Sequence, residues 1–126
     1  VLLTVEYVDL GFLRLVQDDS NPDFVKDLID LYYMDAGSKI ESLRGLLGHD
    51  EVDFQQMDQI VHQFKGSSSS FGAKAMADIC VRLREGCHQQ DVVGCRQICS
   101  ELTVEFDRLK ATLNKFGELE RQIKNS

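Results

Sequence analysis

The chain of 126 residues is predicted to fold as an all-helical, antiparallel up-down bundle. Three observations carry this prediction. Apolar residues recur at threes and fours through five successive segments, no stretch of useful length alternates apolar with polar residues, and the connections between segments are only a few residues long. A composition of 43% apolar and 28% charged residues, with one Pro and nine Gly, is that of a single globular domain spanning 1–126. A chain of this size buries enough surface to need neither disulfide nor metal staples.

The first segment, about 4–17, carries Val5, Val8, Phe12, Leu13, Leu15 and Val16 at helical spacing and ends at the polar run 18–21. Asn21 followed by Pro22 reads as an N-cap with Pro at the first helical position, opening a long helix over about 22–48. Its apolar residues are Phe24, Val25, Leu28, Ile29, Tyr32, Ile40, Leu43 and Leu47. After a turn at Gly48-His49-Asp50, Asp53 caps a helix over 53–71 whose apolar set is Phe54, Met57, Ile60, Val61, Phe64 and Phe71, and Gly72 stops it. A fourth helix, 73–88, carries Met76, Ile79, Cys80, Leu83 and Cys87. Asp91 caps the longest, 91–123, with Val93, Ile98, Leu102, Phe106, Leu109, Leu113, Phe116, Leu119 and Ile123.

Fourteen basic against twenty-one acidic residues give a net charge of -7, the wrong sign for a domain that tracks nucleic-acid phosphates or an anionic membrane. No run approaches the roughly 18 apolar residues of a membrane span, and no secretory signal pattern opens the chain at Val1, so a soluble, non-secreted protein is expected. Cys80, Cys87, Cys95 and Cys99 contain no C-x-x-C pair and read as reduced core cysteines. A zinc site from Cys87, His88, Cys95 and Cys99 lacks the usual knuckle spacing. His49 reads as a turn residue, and His88 as a helix C-terminal residue placed well against the dipole.

Residues 62–72, His-Gln-Phe-Lys-Gly-Ser-Ser-Ser-Ser-Phe-Gly, break the local rules. Glycine and four serines inside a helix disfavour it by roughly 2 to 3 kcal/mol against alanine, and such violations mark functional segments. With His62 at zero and 100° per residue, Met57, Ile60, Val61, Phe64 and Phe71 centre on about 205°. His62 therefore points away from the core, and a solvent-facing histidine is predicted. On the same wheel Lys65, Gly66, Ser69, Asp58, Gln59 and Gln55 all fall within about 60° of it. A lysine that can balance a dianion on the ring, with a glycine that lets a partner approach, suits a phosphoryl group. A P-loop is excluded because Lys precedes Gly within a helix, so no backbone nest forms. A serine nucleophile activated by His62 lacks an oxyanion hole and an orienting partner, and the serines read as small surface residues.

The run His62-Gln63-x-Lys65-Gly66-Ser67-Ser68-Ser69-Ser70-x-Gly72 resembles the signature of histidine-containing phosphotransfer proteins, specifically their plant branch. The resemblance extends to Gln17-Asp18-Asp19-Ser20-Asn21-Pro22-Asp23-Phe24-Val25, to Val52-Asp53-Phe54 and to Leu119 through Ile123, and so covers nearly the whole chain. It implies a four-helix bundle with an N-terminal helix packed alongside. It also implies a phosphocarrier of a multistep His-to-Asp relay with no kinase activity of its own. His62 would be the phosphoacceptor, taking the group from the receiver domain of a hybrid histidine kinase and passing it to a response regulator, in plants most often for cytokinin signalling. Lys65, Arg84 and Gln63 would stabilise the phosphoryl group. Gly66, Ser69, Asp58, Gln59 and Gln55 would lie on the receiver-docking face.

No cofactor is expected on the chain; the partner receiver would bring Mg²⁺. The acidic balance fits a cytoplasmic and nuclear monomer that touches neither nucleic acid nor membrane. Gly86 stands where plant members usually carry an aromatic residue, Gly11-Phe12 replaces more polar residues, and the N-terminus is shorter than usual. These departures are expected to bear on partner choice or affinity. A variant class with Asn in place of the histidine acts as a pathway inhibitor; His62 sets this chain apart from it. The alternative kept open is a helical adaptor that docks receivers without productive transfer.

Overall fold

A computed structural model describes the backbone of residues 24–125 and the side chains of residues 26–115. Four helices account for almost all of it: α1, Phe24–Leu47; α2, Phe54–Phe71; α3, Lys74–His88; and α4, Val92–Asn125. The described residues contain no strand. The predicted helix at 4–17 and the Asn21–Pro22 cap lie outside the described residues.

Each helix begins or ends where local chemistry dictates. The Asp53 carboxylate accepts a hydrogen bond of 3.0 Å from the backbone N–H of Gln56, satisfying one of the free donors of α2's first turn. At the other end Gly72 takes φ 90°, the left-handed conformation that favours glycine, and its N–H bonds to the carbonyls of Ser68 and Ser69. Asp91 does for α4 what Asp53 does for α2, accepting 3.0 Å from Gly94 N–H. The last carbonyl of α1, Leu47 O, receives Arg96 Nη2 from α4 at 2.9 Å, tying two helices together at that end.

Six, two and three residues connect the helices in turn, so consecutive helices run antiparallel and pack α1 on α2, α2 on α3, α3 on α4 and α4 back on α1. The four apolar stripes meet in one continuous cluster. Met57, Val61 and Phe64 of α2, Cys80 and Leu83 of α3, Leu43 of α1 and Leu102 of α4 are fully buried in it. Each such large side chain stabilises the fold by about 1.5 to 3 kcal/mol. All four cysteines are free and buried in this cluster, as the spacing predicts.

Two expectations need correction. Val93, assigned to the core, is 75% exposed, because the buried stripe of α4 is phased on Cys95, Cys99, Leu102, Phe106, Leu109 and Leu113. Ser68 is not a surface serine. It is wholly buried and shares a 2.7 Å hydrogen bond with the Tyr32 hydroxyl, and the Tyr32 ring stacks on Phe71 with centroids 4.3 Å apart. On the wheel that places His62 at zero, Ser68 falls at about 240°, inside the apolar stripe, so the signal was present in its position though not in its residue type.

Candidate functional site

The site is built on the outer face of α2. Val61 and Phe64 on either side of His62 are fully buried, which leaves the imidazole exposed, as the helical phase predicts. Gln55, Gln59, Gln63, Lys65, Gly66 and Ser69 are all exposed on the same helix. Lys65 forms no ion pair with any described residue, so its ammonium is available to an incoming anion. Gly66 makes the local cost of the segment intelligible. A Cβ built there would meet nothing within 4 Å, so no neighbour within the chain demands glycine. The open space is on the solvent side, beside the histidine.

Asp58, expected on the docking face, is the exception. Its side chain is half-buried and engaged: Oδ1 accepts a hydrogen bond of 3.0 Å from Arg84 Nε and lies 3.2 Å from His88 Nε2. Arg84 comes from α3, and its Nη1 donates at 3.2 Å to Nδ1 of His62. The resemblance places an arginine near the histidine; the structure gives that placement its geometry. A guanidinium only donates, so Nδ1 must accept, and the neutral ring then carries its hydrogen on Nε2. Nε2 has no partner among the described residues and faces solvent. The open nitrogen, an arginine at the ring's other edge and a lysine one turn on form an arrangement suited to accepting a dianionic group from outside.

The rest of the neighbourhood is not reactive. Cys80, Cys87, Cys95 and Cys99 have thiol pKa values raised by burial, those of Cys80 and Cys87 to about 12, which keeps them protonated and inert. His88 Nε2 lies 3.2 Å from Asp58 Oδ1. Among the described residues no three His, Cys, Asp or Glu side chains come together to hold a metal ion, Cys87, His88, Cys95 and Cys99 included. Gly86 does not face a partner either. It is buried against α4, where a Cβ would come within 3.0 Å of Cys95 Sγ, so this departure from the family pattern acts on helix packing.

Sequence reasoning missed the Asp58–His88 contact. The two residues lie on different helices, and the pairing follows from how α2 and α3 are rotated against each other. His49 sits exposed in the turn after α1, where it was expected.

The Hpt domain family matches residues 27–112 of this chain. Over 118 residues the chain is 39% identical to histidine-containing phosphotransfer protein 1 of Arabidopsis thaliana, covering 92% of this chain and 77% of that protein. It is 31% identical to pseudo histidine-containing phosphotransfer protein 2 of Oryza sativa subsp. japonica, over 93% of this chain and 79% of the relative. Among solved structures, a histidine-containing phosphotransfer protein from Medicago truncatula superposes with a TM-score of 0.89 at 31% identity, covering 98% of this chain and 86% of that one. One from maize gives 0.78 at 32% identity, covering 86% of each.

Proposed function

The chain belongs to the Hpt domain family, and from that premise we propose that it carries a phosphoryl group on His62 between two receiver aspartates. The donor is the receiver domain of a hybrid histidine kinase and the acceptor a response regulator, in cytokinin-type signalling. The observation that supports this reading is the exposed His62 ring, open at Nε2 and held at Nδ1 by Arg84 at 3.2 Å.

The chemistry asks little of this chain. Once the ring hydrogen has moved through water from Nε2 to Nδ1, the Nε2 lone pair attacks phosphorus, an N–P bond forms as the P–O bond to the receiver's aspartate breaks, and the electron pair leaves with the carboxylate. The second transfer runs the same exchange in the opposite sense to another aspartate. Positioning and charge balance dominate such a step. Lys65 and Arg84 offset the phosphoryl charge, and Gln63 contributes a further polar contact. Gly66, Ser69, Gln59 and Gln55 form the face on which the receiver lands. Mg²⁺ belongs to the receiver, which supplies the acidic residues that hold it. The working form is a monomer of the cytoplasm and nucleus, a setting compatible with a net charge of -7 that does not favour DNA.

The relative named as a pseudo protein shares as much of its length with this chain as the one named without that word, so similarity alone does not separate carrier from adaptor. His62 does. Incubation with a radiolabelled hybrid-kinase receiver is expected to label the protein, with label lost in acid and stable in alkali, and His62→Gln to abolish it. Receiver binding without label would establish the non-transferring adaptor instead.

A further inference from the structure

Four side chains form a ladder across the seam between α2 and α3. Asp58 and His62 stand one turn apart on α2, Arg84 and His88 one turn apart on α3. The contacts run without a break: His88 Nε2 to Asp58 Oδ1 at 3.2 Å, Arg84 Nε to the same oxygen at 3.0 Å, and Arg84 Nη1 to His62 Nδ1 at 3.2 Å. We propose that Asp58 is a positioning residue for phosphotransfer, the fixed point about which Arg84 turns from the imidazole to the arriving phosphoryl group, with His88 holding the carboxylate in place. This rests on the reading of His62 as phosphoacceptor.

In the arrangement observed, Nδ1 accepts from Arg84, so the hydrogen of the neutral ring is on Nε2 and the Nε2 lone pair is not available. Attack on phosphorus through Nε2 needs the other tautomer. The Nε2 hydrogen then passes to water, Nδ1 takes one from water, and Arg84 Nη1, which has no acceptor left at Nδ1, must leave it. An arginine released altogether would regain its rotamer freedom and be of little use. Here Nε stays bound to Asp58, so the guanidinium swings about that bond and carries Nη1 from the ring edge towards the phosphoryl oxygens. The carboxylate is suited to the task because it is half-buried, with 25% of its side chain exposed against 37% for Arg84, and because His88 Nε2 lies 3.2 Å from the same oxygen. Without His88 the carboxylate would be free to follow the arginine.

A double-mutant cycle in the intact protein tests the proposal. Transfer from the phosphorylated receiver is measured for wild type, Asp58→Ala, Arg84→Ala and the double variant, with Asp58→Leu, of similar size but without an acceptor, as the alternative should the alanine variant unfold. Each single variant is expected to slow transfer about tenfold, a loss of the size expected when a positioned group is misplaced by an ångström or less. The double variant is expected to be no slower than Arg84→Ala alone, because Asp58 acts only through Arg84. His88→Ala is expected to slow transfer by a smaller factor, and to have no effect in the Arg84→Ala background. The second readout is the Arg84 Nε–H resonance. It is expected to exchange slowly with solvent in the unphosphorylated wild type and fast in both Asp58 variants, a change that a loss of general stability would not confine to one guanidinium. Transfer at the wild-type rate in the Asp58 variants, or effects of Asp58 and Arg84 that multiply in the double variant, would overturn the proposal. If the wild type took no label at all, the phosphocarrier reading would fall, while an Arg84 Nε–H unchanged in Asp58→Ala would separately refute the anchoring.

Discussion

His62 and Gly66 are one turn apart on α2 and depend on solvent access for opposite reasons, one to present a nitrogen and the other to present nothing. Since a Cβ at Gly66 would meet no atom within 4 Å, the glycine weakens α2 without helping the fold. Gly66→Ala is therefore expected to raise stability by about 1 kcal/mol, read as a higher denaturant midpoint at unchanged slope. Gly66→Leu should fold at least as well as wild type yet lose transfer from the receiver, because a branched side chain then occupies the landing space beside His62. Undiminished transfer by that variant would remove Gly66 from the docking face. His62→Gln, which alters only an exposed side chain, is expected to shift stability by no more than about 0.5 kcal/mol while abolishing the label.

At the scale of the element, α2 holds a polar residue inside its apolar stripe. Ser68 is wholly buried, and its hydroxyl and that of Tyr32 satisfy each other across the α1–α2 contact at 2.7 Å. Burial outweighs this hydrogen bond and holds the Tyr32 hydroxyl well above its ordinary pKa. Ser68→Ala strands that hydroxyl, and a loss of about 1 to 3 kcal/mol is expected by chemical denaturation. Adding Tyr32→Phe should restore most of it, since removing both polar partners leaves nothing unsatisfied. Helical period assigned the other stripe residues of α2 correctly because side-chain burial on a helix follows phase. It failed at Ser68 because residue type was read before position. Val93 failed in the opposite sense: its residue type was apolar, but its position in the first turn of α4 lies off the stripe that Cys95 and Cys99 define.

For the whole molecule, the buried ionisable groups set an alkaline limit. Cys80 and Cys87 carry thiol pKa values raised by burial from 9.0 to about 12, and Tyr33 is raised from 10.0 to about 12 for the same reason. The unfolded chain releases these protons near the ordinary values and the folded chain only near pH 12. In that window the native state binds more protons, so stability falls as pH rises. The contribution is complete below about pH 9 and is expected to disappear between about 9 and about 12, measurable as a falling melting temperature. In native protein at pH 8 a thiol reagent should modify the four cysteines far more slowly than in denaturant, because all four are buried and protonated.

Much of the site was legible before any fold was known. The exposure of His62, the neighbourhood of Lys65 and Gly66, the caps at Asp53 and Asp91 and the stop at Gly72 all follow from interactions within a few residues, where helical period and capping chemistry decide the outcome. The resemblance of the 62–72 run added the receiver partners and drew Arg84 to the histidine. Tertiary structure alone decided that Arg84 meets Nδ1 and so leaves Nε2 open, that Asp58 lies under the arginine as well as beside the docking face, that His88 joins it, and that Gly86 closes on Cys95. These contacts join residues on different helices. They depend on the rotation and axial offset of one packed helix against another, quantities that the burial of whole apolar stripes determines and that no local spacing records.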